Sequence, residues 1–239
     1  MTTNVTNDIM MIVDESGSME MMGKEPVQAI NNFIQEQQKL EIKDTKFSLW
    51  KFNSKISCVY NDENLNDIKE FDDFKPDGLT ALFDCIGKSI TEKLESKRNQ
   101  NVICVILTDG DENASKNYEL SKIKSLIKKA ETFYGWSFLY LGANQDVFKA
   151  SNSIGITSCV EFLPEKNGDL INITRSTSET VSFFRQQSQE CNTNELKIET
   201  ILKKNKKRKI YKEKLPSPLP PLSMLSRQSA VMLQEYRQC

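Results

Sequence analysis

Apolar residues along this chain fall into two recurring patterns. Ile9-Met10-Met11-Ile12-Val13, Val102 to Leu107 and Trp136 to Leu141 are apolar runs of strand length, as expected of strands covered on both faces. Other stretches repeat with a helical period. Val27, Ile30, Phe33 and Ile34 form one stripe between about Glu25 and Leu40, where Pro26 suits a first helical turn. Ala81 to Leu94 carries Leu82, Cys85, Ile86 and Ile90 in the same way, and Leu120 to Phe133 points Leu120, Ile123, Leu126, Ile127 and Ala130 toward a core. Lys46 to Phe52 alternates imperfectly, with Lys51 on the side of Phe47 and Leu49. Ile56 to Tyr60, after the polar turn Asn53-Ser54-Lys55, completes a hairpin expected at a sheet edge. Asn61 to Phe74 reads as an acidic loop, Asp146 to Ala150 as a short helix and Ser158 to Phe162 as a last strand. A final helix is predicted over Ser176 to Gln189, with Val181, Phe183 and Phe184 as its apolar side and Thr174-Arg175-Ser176-Thr177-Ser178 as its capping-rich start.

Strands alternating with helices predict an α/β fold in three layers, doubly wound and Rossmann-like. The sheet is expected to be mostly parallel with one antiparallel edge strand. The predicted domain covers residues 1–190, and a basic, proline-rich tail covers 191–239. Ligands of such sheets collect at the carboxyl ends of the strands. Asp14 and Asp109 each stand at that end of an apolar run, so adjacency of the two strands would bring them to one crevice.

Three stretches at these boundaries are rich in hard oxygen ligands: Asp14-Glu15-Ser16-Gly17-Ser18, Asp77-Gly78-Leu79-Thr80 and Thr108-Asp109-Gly110. Mg²⁺ or Mn²⁺ takes about six oxygens at roughly 2.0–2.1 Å. Asp14, Ser16, Ser18, Thr80 and Asp109 offer five such side chains, which leaves a position for water or a partner. The Asp-x-Ser-x-Ser alternation suits a tight loop that points every second side chain one way, with Gly17 permitting the turn. Asp111 and Glu112 are expected in a solvated loop, and Glu15 is expected to point away from an ion.

These residues resemble the metal-ion-dependent adhesion site of von Willebrand factor type A domains. Asp14, Ser16 and Ser18 match that family's first loop, Thr80 its second, and Asp109, within Leu107-Thr108-Asp109-Gly110, its third. Gly78 and Asp84 also resemble the second loop and the helix that follows it. The resemblance spans about residues 5–165 in order and spacing. It implies that the two serines and the threonine bind the ion directly or through water, while the two aspartates often hold its waters. It further implies metal-mediated, non-catalytic protein binding, in which a partner's Asp or Glu completes the shell. Stand-alone intracellular members are the better match, because paired flanking cysteines are lacking.

Composition narrows the alternatives. The 239 residues contain no histidine, which excludes imidazole bases, Ser-His-Asp catalysis and His-containing zinc sites. An enzyme alternative is a Mg²⁺-dependent phosphotransferase or phosphatase with Asp14 as nucleophile. Its general acid would stand two residues on, where Ser16 cannot do acid–base work near neutral pH. The six cysteines form no CxxC pair, and Cys58, Cys104 and Cys159 sit in strand-like runs as small core residues would, which suggests a reducing, intracellular and cytoplasmic setting. Ile9 to Val13 is too short for a signal peptide or a membrane span. Charge is uneven: residues 201–239 hold ten Lys/Arg against two Asp/Glu, leaving 22 against 31 for residues 1–200. The basic run over 203–214 has several readings: nuclear targeting, weak nucleic-acid contact, or docking on the acidic body. A short helix is conceivable over 222–236, and the domain is expected to be monomeric by itself.

Overall fold

Strand β1 (Asn7–Asp14) owes its central position to having no polar face. Ile9, Met11 and Val13 point into one apolar cluster, while Met10 and Ile12 point into another on the opposite side. The computed structural model describes residues 7–40, 42–96, 101–143 and 146–190. In chain order the remaining elements are α1 (Glu25–Gln38), β2 (Lys46–Phe52), β3 (Ile56–Asn64), α2 (Leu82–Glu95), β4 (Asn101–Thr108), α3 (Leu120–Tyr134), β5 (Ser137–Gly142), α4 (Val147–Ser153), β6 (Cys159–Glu161) and α5 (Asp169–Glu190). The tail expected over 191–239, with its basic run and its 222–236 helix, lies outside the described residues.

The sheet runs β3-β2-β1-β4-β5-β6, all neighbours parallel except the β2–β3 hairpin at one edge. This is the three-layer, doubly wound fold that the alternation of patterns predicts. β1 and β4 pair from Asn7↔Asn101 to Val13↔Leu107. Because the chain first builds outward from β1 to β2 and then returns to add β4 on the other side, the order switches between these two strands. Their carboxyl ends open the crevice where ligands of such folds bind.

Each face of the sheet carries its own core. One combines Ile103, Val105 and Leu107 of β4 with Ala29, Ile30 and Phe33 of α1 and Val181 and Phe184 of α5. The other joins Cys104 and Ile106 to Ile86 and Ile90 of α2, Ile123 and Ile127 of α3, and Val147 of α4. Pro26 lies in the first turn of α1, and α3 stops at Gly135, which is left-handed at φ 67.

Several expectations need correction. Asn61–Asn64 continue β3, and Leu65–Asp67 form a 3₁₀ turn whose Leu65 is buried, as are Ile68 and Phe71 nearby. Polar composition concealed a strand end that is fixed by pairing, Phe47↔Glu63 and Lys46↔Asn64, across a bulge that puts Asp62 at φ 53. Cys58 is exposed on this edge strand instead of being a core residue. Leu120 and Phe183 are also exposed. Finally, α5 begins at Asp169, so Thr174 to Ser178 are helical interior. Ser178 faces α1, where Gln37 Nε2 donates to its Oγ at 2.8 Å and, one turn on, to Ser182 Oγ at 2.8 Å. A capping-rich sequence thus becomes a polar seam between two helices.

Candidate metal centre

Asp14 is the last residue of β1, and its carboxylate is pinned from two directions. The Ser16 amide donates to Oδ1 at 2.8 Å, and Thr108 Oγ1, at the end of the neighbouring β4, donates to Oδ2 at 2.5 Å. After Ser16 the chain enters a 3₁₀ turn over Gly17–Met22, which raises Ser18 to the surface. Ser16 Oγ and Ser18 Oγ lie 3.1 Å apart, and Ser18 Oγ donates to Asp109 Oδ1 at 2.7 Å. The first and third loops therefore share one hydrogen-bonded cluster.

The second loop is tied to the first by backbone bonds. The Gly17 amide donates to the Gly78 carbonyl at 3.1 Å, and the Asp77 amide to the Glu15 carbonyl at 3.0 Å. Gly78 has φ 73, and a Cβ there would meet Ser54 Oγ at 2.8 Å, so both its conformation and its surroundings require glycine. Thr80 follows, buried, its amide bonded to Asn113 Oδ1 at 2.9 Å and its carbonyl accepting from the amides of Asn113 and Ala114. A Cβ placed on Gly110 would lie 3.2 Å from Thr80 Oγ1, 3.6 Å from Ser18 Oγ and 3.8 Å from Asp14 Oδ2. Oxygens of the first and second loops thus converge beside Gly110 of the third, while Asp109 joins them through Ser18. All five side chains singled out in the sequence meet here.

Two observations test whether this cluster suits a hard divalent cation. Asp109 is only 2% exposed, and its Oδ2 is buried with no hydrogen-bond partner. An acceptor in that state costs free energy unless something positive approaches it. The convergence beside Gly110 gives the second: hydroxyl and carboxylate oxygens face a space that a single methyl group would fill. Burial pushes Asp14 up to about 6, against hydrogen bonds from Thr108 and Ser16 and with added repulsion from Asp109. Burial likewise raises Asp109, against its bond from Ser18. The donor set is oxygen only, and among the described residues no group of three or more His, Cys, Asp or Glu is placed to hold an ion. The residues fit Mg²⁺ or Mn²⁺, with charge from two carboxylates and the remaining ligands neutral.

Supporting residues were less visible in the sequence. Glu15 points away from the cluster, as expected: its Oε1 accepts from Lys51 Nζ at 2.9 Å and from the Lys75 amide at 2.6 Å. Lys51 is 4% exposed and also bonds Asp73 Oδ2 at 2.9 Å, which anchors the chain leading to Thr80. The signal was the lysine on the core side of β2. Glu112, expected to be solvated, instead receives the Phe83 amide at 2.8 Å, the Ser115 amide and hydroxyl each at 2.7 Å and the Ala114 amide at 3.0 Å. An acid at the start of α2 is favoured by the unpaired amides of a helix N-terminus. Asp84, in turn, accepts the amides of Lys116, Asn117 and Tyr118 at 2.8–2.9 Å and stitches α2 to the third loop. Cavities of about 220 and 420 Å³ lie elsewhere, lined by none of the five residues.

The model of the von Willebrand factor type A domain matches residues 8–176, more than half of the chain. The chain belongs to that family. The match begins at β1, runs through all three loops of the cluster and ends within α5. Solved structures show the same von Willebrand A fold at low identity. A pilus adhesin, SpaC, from Lactobacillus rhamnosus GG aligns with TM-score 0.58 at 12% identity, covering 75% of this chain and 30% of that one. A D319A mutant of the PilB minor pilin from Streptococcus sanguinis gives 0.56 at 14%, with 76% and 62% covered. A von Willebrand factor type A protein from Catenulispora acidiphila gives 0.52 at 13%, with 75% and 43% covered. This von Willebrand A chain spans less than two thirds of each of these structures. No curated protein matches it. Among the described residues no helix is long and apolar enough to cross a membrane.

Proposed function

We propose that this domain is a non-catalytic protein-binding module that depends on Mg²⁺ or Mn²⁺, with Asp14, Ser16, Ser18, Thr80 and Asp109 holding the ion. Asp109 Oδ2 carries the reading: a carboxylate oxygen buried without a hydrogen-bond partner, on a side chain whose other oxygen is fixed by Ser18. Membership of the von Willebrand factor type A family supports it. The bound ion would supply a positive centre able to accept a carboxylate from an Asp or Glu of a partner protein.

The chain's own residues have separate tasks. Thr108 and the Ser16 amide orient Asp14, so that its charge is positioned before any ion arrives. Asn113 and the first loop hold the segment of Thr80 against the third loop. Ser18 is exposed, whereas Ser16, Thr80 and Asp109 are buried, so among these four the cluster meets solvent at Ser18. Position 16 holds a serine where a hydrolase with Asp14 as nucleophile would need its second aspartate as general acid, which favours binding over hydrolysis.

Affinity capture from cells with the full chain as bait, run in Mg²⁺ and in EDTA, tests the reading. Partners should be retained in Mg²⁺, released by EDTA, and missing with Asp14→Ala or Thr80→Ala. Capture that survives chelation and both substitutions would refute it.

A further inference from the structure

The carboxylate that completes the site has neighbours of its own, and the charge around the mouth selects among them. Resting on the metal-dependent reading above, we infer that the preferred partner presents its Asp or Glu within a basic segment, flanked by Lys or Arg, and that an acidic run is disfavoured. Within three positions of the five cluster residues, the exposed ionisable side chains are Glu20, Asp77 and Asp111, one on each loop, and no Lys or Arg occurs in those windows. The other two acids there are engaged, Glu15 with Lys51 and Glu112 with the amides at the start of α2. The cations at this end of the sheet stand further off along the chain. Lys75 is bonded to Asp73 at 3.1 Å, Lys24 and Lys116 come later on the first and third loops, and the fold brings exposed Lys55 to the second loop, next to Ser54, whose hydroxyl accepts the Leu79 amide at 2.9 Å.

Charge balance at the centre makes the rim decisive. Asp14 and Asp109 together match the charge of one divalent cation, so the loaded centre is close to neutral and exerts little long-range pull on an acidic chain. The three rim carboxylates then set the field an approaching segment meets, on a body that carries 31 Asp/Glu against 22 Lys/Arg over residues 1–200. The buried, unpartnered Asp109 Oδ2 points to a ligand here independently of that rim. Leu79 is 56% exposed beside Asp77, and Met21 is 66% exposed beside Glu20. Each rim acid on those two loops thus has an apolar neighbour on which the aliphatic stem of a lysine or arginine can lie while its charge meets the carboxylate. Charges of this kind act chiefly through association rate and salt dependence.

The test uses short labelled peptides with one central Glu flanked by Lys, by Ser or by Glu, titrated against the full chain in Mn²⁺ and followed by fluorescence anisotropy. The Lys-flanked peptide should bind about tenfold tighter than the Ser-flanked one at low salt, with the Glu-flanked peptide weakest. Binding should vanish in EDTA or when the central Glu is replaced by Gln. Combined reversal of the rim, Glu20→Lys with Asp77→Lys and Asp111→Lys, should invert the order. Equal or tighter binding of the Glu-flanked peptide, or an order that the reversal leaves in place, overturns the inference while sparing the metal-dependent reading. Binding of the Lys-flanked peptide that persists in EDTA also overturns it, since the acidic surface alone would then suffice. Failure of Mn²⁺ itself to bind, measured by calorimetry without peptide, sinks both.

Discussion

Gly110 has no side chain where oxygens of the first and second loops converge on the third, and one methyl group there separates a binding role from a structural one. Gly110→Ala places a Cβ 3.2 Å from Thr80 Oγ1, tighter than ordinary packing, with Ser18 Oγ and Asp14 Oδ2 just beyond. The expected result, by calorimetry and thermal melting, is a loss of Mn²⁺ affinity of about tenfold or more with a melting temperature close to that of the wild type. Asp84 is the contrasting residue, with a purely structural task. Burial alone would raise its carboxyl, but the amides of Lys116, Asn117 and Tyr118, with Asn117 Nδ2, hold it below the ordinary carboxylate value. A carboxylate with a lowered folded-state value adds stability above its unfolded value, and that stability is lost as pH falls through the folded one. Asp84→Asn should therefore flatten the acid limb of a stability–pH curve. Asp84→Ala should cost about 2–3 kcal/mol near neutral pH by denaturant titration, since it leaves backbone donors without an ionic acceptor.

Among the elements, β2 does more than extend the sheet. Its Lys51 lies on the core side and reaches Glu15 of the first loop and Asp73 on the approach to Thr80, so a buried ammonium joins two of the three loops. Lys51→Met leaves Glu15 buried with the Lys75 amide as its remaining partner. Loss of one partner of a buried pair costs about 3–5 kcal/mol, and equilibrium urea unfolding should show it as a lower midpoint at an unchanged slope. The sequence revealed most at this scale. Strands without a polar face, such as β1 and β4, are unambiguous because their apolar runs have no other stable placement. The ends of β3 and α5 were hidden for a shared reason: Asn61–Asn64 and Thr174–Ser178 are polar, and their structure depends on partners distant in the chain, β2 in one case and Gln37 of α1 in the other. Exposed Leu120 and Phe183 show that a helical period marks an apolar stripe without marking its edges. The five cluster residues were legible because they stand in oxygen-rich stretches at strand and turn boundaries, in the order and spacing that the family resemblance requires. Thr108, Lys51, Glu112 and Asn113, which hold them in place, were not, since their roles arise only when loops far apart in sequence meet.

At the scale of the whole molecule, the switch point of the sheet and the loop cluster lie at the same end, the carboxyl end of β1 and β4. The crossover between β1 and β4 is what allows Asp14 and Asp109, 95 residues apart in sequence, to share a centre. An ion bound only by the folded chain stabilises it by mass action, about 2.7 kcal/mol when its concentration is a hundred times the dissociation constant. Melting temperature should therefore rise with Mn²⁺ in the wild-type domain and stay flat in Asp109→Ala. The central claim is most directly tested by titrating the full chain with Mn²⁺ and counting free ion by electron paramagnetic resonance, beside Asp14→Ala and Thr80→Ala variants shown by circular dichroism to be folded. The account predicts one ion bound per wild-type chain and none at the same concentrations in either variant. An ion that fails to bind the wild type, or that binds all three proteins alike, would contradict it.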